Sequence, residues 1–174
     1  MIFTEENGYY QIDCNKALWA TDEHHQMYLD DTASLLSDVD WIIETKDRIL
    51  FVEYKNGTVY SSGQSFNPCD EKTVNKVSKK YYDSLHYLKL MQKEKPVDYI
   101  FVLEFPDDDA VTRKILRNKI SQKLPFRLQK RFDKGKLIND FYIVSIDEWN
   151  KSHPEMPISR TDKPFKQNKV YYKK

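Results

Sequence analysis

The stretch from Asp38 to Lys55, "DVDWIIETKDRILFVEYK", constrains the fold of this chain more than any other. Two apolar runs, 40–45 and 48–54, are joined by a charged turn, the pattern of a buried β-hairpin. Centring that turn between Lys46 and Asp47 pairs Asp40 with Glu53, Trp41 with Val52, Ile42 with Phe51 and Ile43 with Leu50. Side chains alternate along strands, so Asp40, Ile42, Phe51, Glu53 and Lys55 project from one face. Directly opposed Cβ atoms lie about 4.5–5.5 Å apart. Two carboxylates that close repel each other unless a proton or a cation sits between them. A hard divalent ion suits the position, because Mg²⁺ takes oxygen ligands and tolerates one or two carboxylates. Lys55 returns to the same face, where it can orient or deprotonate a water beside that ion; an adjacent cation favours the neutral amine a base requires. Two acids, a cation and a lysine suit phosphodiester hydrolysis. A second E-x-K, Glu44–Lys46, sits at the turn, where charges are ordinary.

The surroundings read as mixed strands and helices. Asn7-Gly8 between alternating segments signals a short hairpin. Thr21, Asp22 and Glu23 look like a helix start that "HHQMYL" continues. Residues 56–70 are rich in Gly, Ser, Asn and Pro, and a loop of that length is often functional. Asn67 and Pro68 suit an N-cap and first helical position. Val74, Val77, Tyr81, Leu85, Leu88 and Met91 then form one apolar stripe of a helix reaching about Lys93. "VDYIFVLEF" reads as a central strand buried on both faces. A second helix is expected from Asp109 to about Lys123, and "DFYIVSI" as another buried strand. The tail after Asn150 reads as irregular. These elements form an α/β or α+β domain around one sheet.

The hairpin resembles the core of the PD-(D/E)xK nuclease superfamily, in which an Asp opens one strand and E-x-K closes the next. Asp40, Glu53 and Lys55 match those positions one by one, while Val39 stands where the family name has Pro. The resemblance implies an α/β, restriction-endonuclease-like core with a mixed central β-sheet flanked by helices. It also implies Asp40, Glu53 and the main-chain carbonyl of Tyr54 as ligands of Mg²⁺ or Mn²⁺, with Lys55 as the catalytic lysine. Many members use a further acid from the first helix; Glu23 is the first candidate here and Glu6 the second. The motif core spans about 38–105 of a single domain, 1–174, and a basic part, 111–174, follows. The implied function is a metal-dependent nuclease hydrolysing nucleic-acid phosphodiesters, DNA foremost. Several members keep the fold without activity, so the alternative is an inactive nucleic-acid-binding or protein-interaction module.

Charge patterning agrees with a polyanionic partner. The net charge of +1 hides a gradient: −8 over 1–55, −2 over 56–110 and +11 over 111–174. An acidic part can supply cation ligands and a basic part can meet nucleic acid. Residues 112–136 carry ten Lys or Arg and one Asp, a density that could neutralise several phosphates. Arg127, Lys130 and Arg131 are the tightest cluster there, and Lys76, Lys79 and Lys80 lie near the start of the helix after the hairpin. His24-His25 lacks partners at zinc-ligand spacing. No G-x-S-x-G elbow is present, and four glycines leave no phosphate-cradling loop. Cys14 and Cys69 stand alone and read as reduced thiols. With no apolar run of membrane-spanning length and no signal peptide at the start, a cytoplasmic protein without a membrane partner is expected. The residues leave the oligomeric state open, a homodimer included.

Overall fold

In the computed structural model, which describes residues 1–5, 7–30, 35–57, 66–106, 109–132 and 136–161, eight strands alternate with five helices among the described residues. The strands are β1 (Ile2–Thr4), β2 (Tyr10–Asp13), β3 (Trp19–Thr21), β4 (Trp41–Glu44), β5 (Ile49–Asn56), β6 (Val97–Glu104), β7 (Asp140–Val144) and β8 (Ile158–Arg160). The helices are α1 (Glu23–Asp30), α2 (Glu71–Leu90), α3 (Ala110–Lys123), α4 (Phe126–Gln129) and α5 (Ile146–Ser152). A five-stranded sheet has the order β3-β4-β5-β6-β7. It is mixed: β3, β4 and β5 pair antiparallel, whereas β5, β6 and β7 pair parallel. A smaller antiparallel sheet has the order β1-β2-β8. The architecture is α/β, with helices flanking a mixed sheet.

The hairpin takes the expected register, with Trp41 opposite Val52, Ile42 opposite Phe51 and Ile43 opposite Leu50. Alternation then splits its residues between two cores. Ile42 and Phe51 join Val74, Val77 and Tyr81 of α2 and Leu116 and Ile120 of α3. Trp41, Ile43, Leu50 and Val52 join Ile12, Trp149 and Ile158 on the other side. Both parallel crossovers therefore cover one face, while the small sheet and α5 cover the opposite one. Phe51, Tyr81 and Tyr99 form a chain of rings, with centroids 5.8 and 5.4 Å apart. Each such contact adds about 0.5–1.5 kcal/mol beyond burial. The Tyr99 hydroxyl of β6 donates to the Val77 carbonyl at 2.8 Å, so α2 is held at a defined height above the sheet.

Several expectations hold. Asn7-Gly8 turns the β1–β2 hairpin, with Gly8 at φ 77°, a conformation that costs glycine nothing. Residues 97–103 of β6 are buried between two parallel neighbours. Asp109 caps α3 by accepting from the Thr112 N–H at 2.8 Å.

Others need correction. Helix α2 begins at Glu71 behind Asp70, not at Pro68. Asn67 instead accepts from the Cys69 N–H at 2.9 Å and its carbonyl from Asp70, forming a turn, because an Asn side chain can satisfy its own local backbone. The helix ends at Leu90. Strand β7 is an edge, not a buried strand: Phe141 is covered by the α2–α3 core while Tyr142 is 38% exposed. The tail is not wholly irregular, since β8 pairs with β2 and buries Ile158. Part of the 56–70 loop, the end of the basic stretch at 133–135 and the tail beyond 161 lie outside the described residues. No helix among the described residues is long and apolar enough to cross a membrane.

Candidate active site

Asp40 stands one residue before β4, and Glu53 and Lys55 stand near the end of β5. The register that pairs Trp41 with Val52 brings Asp40 opposite Glu53. Asp40 is fixed by its own strand partner: its Oδ2 accepts from the Tyr54 N–H at 2.6 Å. The N–H and C=O of one strand residue point to the same edge, so the Tyr54 carbonyl also points to the β4 edge of β5. Between the two acids stands Lys80 of α2. Its ammonium donates to Glu53 Oε2 at 2.7 Å and lies 4.0 Å from Asp40 Oδ1. The cluster is largely withdrawn from water, with side-chain exposures of 8% for Glu53, 13% for Lys80 and 21% for Asp40.

Burial and crowding set the electrostatics. Desolvation, then the Asp40 charge, push the Glu53 carboxyl up to about 8, against the pull of Lys80 and Lys76. Desolvation also raises Asp40; Lys80 and the Tyr54 N–H oppose it, and the charges of Asp38 and Glu5 reinforce it. Desolvation works against the Lys80 ammonium, but Glu53 and Asp40 outweigh it and hold that group above the ordinary lysine range.

Beyond Glu53 opens a cavity of about 480 Å³ whose wall includes Lys55, Lys72, Thr73, Lys76, Phe66 and Phe101. Lys55 therefore shares one cavity with Glu53, as the strand alternation requires. A second cleft of about 570 Å³ lies on the opposite sheet face, floored by Leu50 and Ile100 and crossed by an Arg48–Asp98 ion pair of 2.6 Å. It is larger, yet the paired carboxylates are not there.

The remaining candidates distribute as follows. Glu23 opens α1 and is exposed; among the described residues no hydrogen bond or ion pair links its side chain to Asp40 or Glu53. Its neighbour His24 is the one that turns inward, donating from Nε2 to the Val39 carbonyl at 2.8 Å. Glu6 lies outside the described residues. Lys76 borders the cavity. Lys79 is spent on structure, bonding Asp83 and donating to the Leu35 carbonyl at 2.6 Å. Arg127, Lys130 and Arg131 are exposed, but Gln129 beside them bonds Leu137 and Ile138. Asn139 in turn donates to the Val97 carbonyl, and Val97 is level with Ile49. That basic cluster sits towards the end of the sheet away from Glu53.

Sequence reasoning missed two groups and one role. Lys80, expected as a phosphate contact, stands here as counter-ion of both carboxylates. Asp38, 8% exposed, bonds His25 Nδ1 at 3.0 Å, and Glu5, 7% exposed, accepts from the N–H groups of Asn7 and Tyr9. A Glu beside an Asn-Gly turn has no visible reason to be buried.

Asp40 and Glu53 share one cation, the Lys80 ammonium, and two carboxylates are a number of protein ligands that Mg²⁺ accepts. Among the described residues no group of three or more His, Cys, Asp or Glu side chains gathers for a metal, so the pair stands without a third such ligand. The chain matches no protein-family model, no curated protein and no solved structure.

Proposed function

We propose that this chain is a Mg²⁺- or Mn²⁺-dependent phosphodiesterase of the restriction-endonuclease-like fold, acting on nucleic acid and on DNA foremost. One observation carries the reading: two carboxylates from different strands meet over a single cation, with Lys55 on the same face beside a lysine-lined cavity. Asp40 and Glu53 would hold the ion, and the Tyr54 main chain, whose N–H orients Asp40, would offer its carbonyl. A divalent ion there would supply Lewis-acid charge that acidifies water and offsets the phosphate. Lys55 would orient the attacking water and take its proton, while the P–O bond to the leaving oxygen breaks and that oxygen takes a proton from solvent. Lys72 and Lys76 line the cavity, where they would meet phosphate groups, contacts that position the backbone and do not read bases.

A second reading is favoured by a specific feature. Lys80 already neutralises the pair, as it would in a nuclease-fold protein that binds nucleic acid or protein without cleaving anything. Plasmid nicking with and without EDTA separates the two. Wild type should nick with Mg²⁺ or Mn²⁺ and stop with EDTA, and Lys55→Ala should lose at least about a hundredfold, the usual worth of a positioned acid–base group. Equal residual activity in both proteins would support the binding module.

A further inference from the structure

We propose that Lys80 is a built-in counter-ion that yields Asp40 and Glu53 to the divalent cation and then serves as a phosphate contact, an inference that rests on the metal-dependent reading above. Its ammonium holds Glu53 Oε2 at 2.7 Å and stands 4.0 Å from Asp40 Oδ1. A divalent ion bound to the same oxygens at about 2.1 Å would stand beside that ammonium. In a site this poorly solvated, the repulsion between the two cations is large. Both cannot hold the pair together. Lysine has a flexible four-carbon stem, and an exit lies next to it. The cavity of about 480 Å³ begins at Glu53 and is bordered by Lys76, one helical turn before Lys80 on the same helix.

The exchange links two events. While the ion is absent, Lys80 prevents two nearly buried carboxylates from facing each other unscreened, which protects the fold. Once the ion arrives, the ammonium is freed into a cavity already lined by Lys55, Lys72 and Lys76. The basic charge available to a phosphate therefore increases only when the carboxylates are loaded. A polyanion and the ion should each favour the other's binding.

Amine acylation with an acetyl succinimide ester, read by peptide mass spectrometry, tests this on the wild-type protein. Without metal, Lys80 should label slowly. With saturating Mn²⁺ its labelling should rise about tenfold, the equilibrium equivalent of one charge-assisted hydrogen bond. Lys93, paired with Glu44, should stay constant and report an intact fold. Glu53→Gln should expose Lys80 to labelling without metal. Should that variant loosen, as Lys93 would reveal, the wild-type arm decides alone. Ion occupancy is followed separately by Mn²⁺-induced relaxation of water protons. If Mn²⁺ binds while Lys80 labelling stays flat, the displacement is wrong and the metal site stands. If no Mn²⁺ binds, both fall. Lys80 remaining protected in a folded Glu53→Gln protein would also overturn it.

Discussion

At the scale of single residues, the site is governed by the cost of burying charge. Glu53 and Asp40 are withdrawn from water and face each other, so each favours keeping its proton. For Glu53 the folded carboxyl titrates at about 8 against an ordinary 4.5. The folded state thus keeps a proton that the unfolded chain gives up. Its contribution to stability is complete below about pH 4.5 and is lost as pH rises through 8. Urea unfolding in EDTA should show wild type losing on the order of a few kcal/mol between pH 5 and 8. Glu53→Gln should flatten that dependence. The pairing of Asp40 with Glu53 was legible in the sequence, because register follows from a turn centre and alternation. The role of Lys80 was not. A lysine among Lys76 and Lys79 on a helix carries no mark of which one turns inward; only the seating of α2 on the sheet, held by the Tyr99–Val77 bond, selects it.

At the scale of elements, the hairpin and α2 define the site together, and Asp83 joins them. It accepts from the Ser37 N–H at 2.8 Å and the Ser37 hydroxyl at 3.1 Å, and it also binds Lys79. Next to it, the Ser84 hydroxyl accepts from the Val39 N–H at 3.1 Å. The segment that leads into Asp40 is therefore tied to α2 before β4 begins. Asp83→Ala would leave the Ser37 donors without their acceptor and take the anion from beside Lys79, which keeps the Leu35 carbonyl, costing about 2–4 kcal/mol. Chemical denaturation should show that loss, and Mn²⁺ affinity should fall with it as Asp40 loses its anchor. Unchanged stability would mean that Ser37 is held by other contacts. The long elements were readable from the chain: the period of α2 and the apolar run of β6 both follow from burial. The start of α2 was not, because Asn67-Pro68 suits a cap and a turn equally, and the turn took it. The half-exposed state of β7 was hidden because an edge strand covered on one face still reads as an apolar run.

At the scale of the whole molecule, the charge gradient is not a single basic surface. Part of the 112–136 stretch is engaged internally: Arg113 donates to the Leu103 carbonyl, Arg117 to the Phe141 carbonyl and Lys119 to the Cys69 carbonyl. The exposed Arg127, Lys130 and Arg131 lie towards the Val97 end of the sheet, four residues of register from the Phe101 level of Glu53, or about 13 Å along the strands. A short duplex in the cavity should feel Lys72 and Lys76 but not that cluster. Replacing Lys72 and Lys76 with Ala should reduce the slope of log affinity against log salt by up to about 1.8, and the distal triple replacement should matter only on longer duplexes, by up to about 2.7. Salt titrations by fluorescence anisotropy with two duplex lengths distinguish these outcomes, and equal effects at both lengths would place the cluster on the substrate path. The proposed metal site is also read through the whole molecule, because an ion that binds only the folded state raises its stability by mass action. The most direct measurement is a thermal melt with increasing Mg²⁺ or Mn²⁺. Wild type should melt progressively higher, and Asp40→Asn should lose most of that gain while its metal-free stability holds or improves. A wild-type melting curve that neither ion moves would contradict a divalent cation at Asp40 and Glu53.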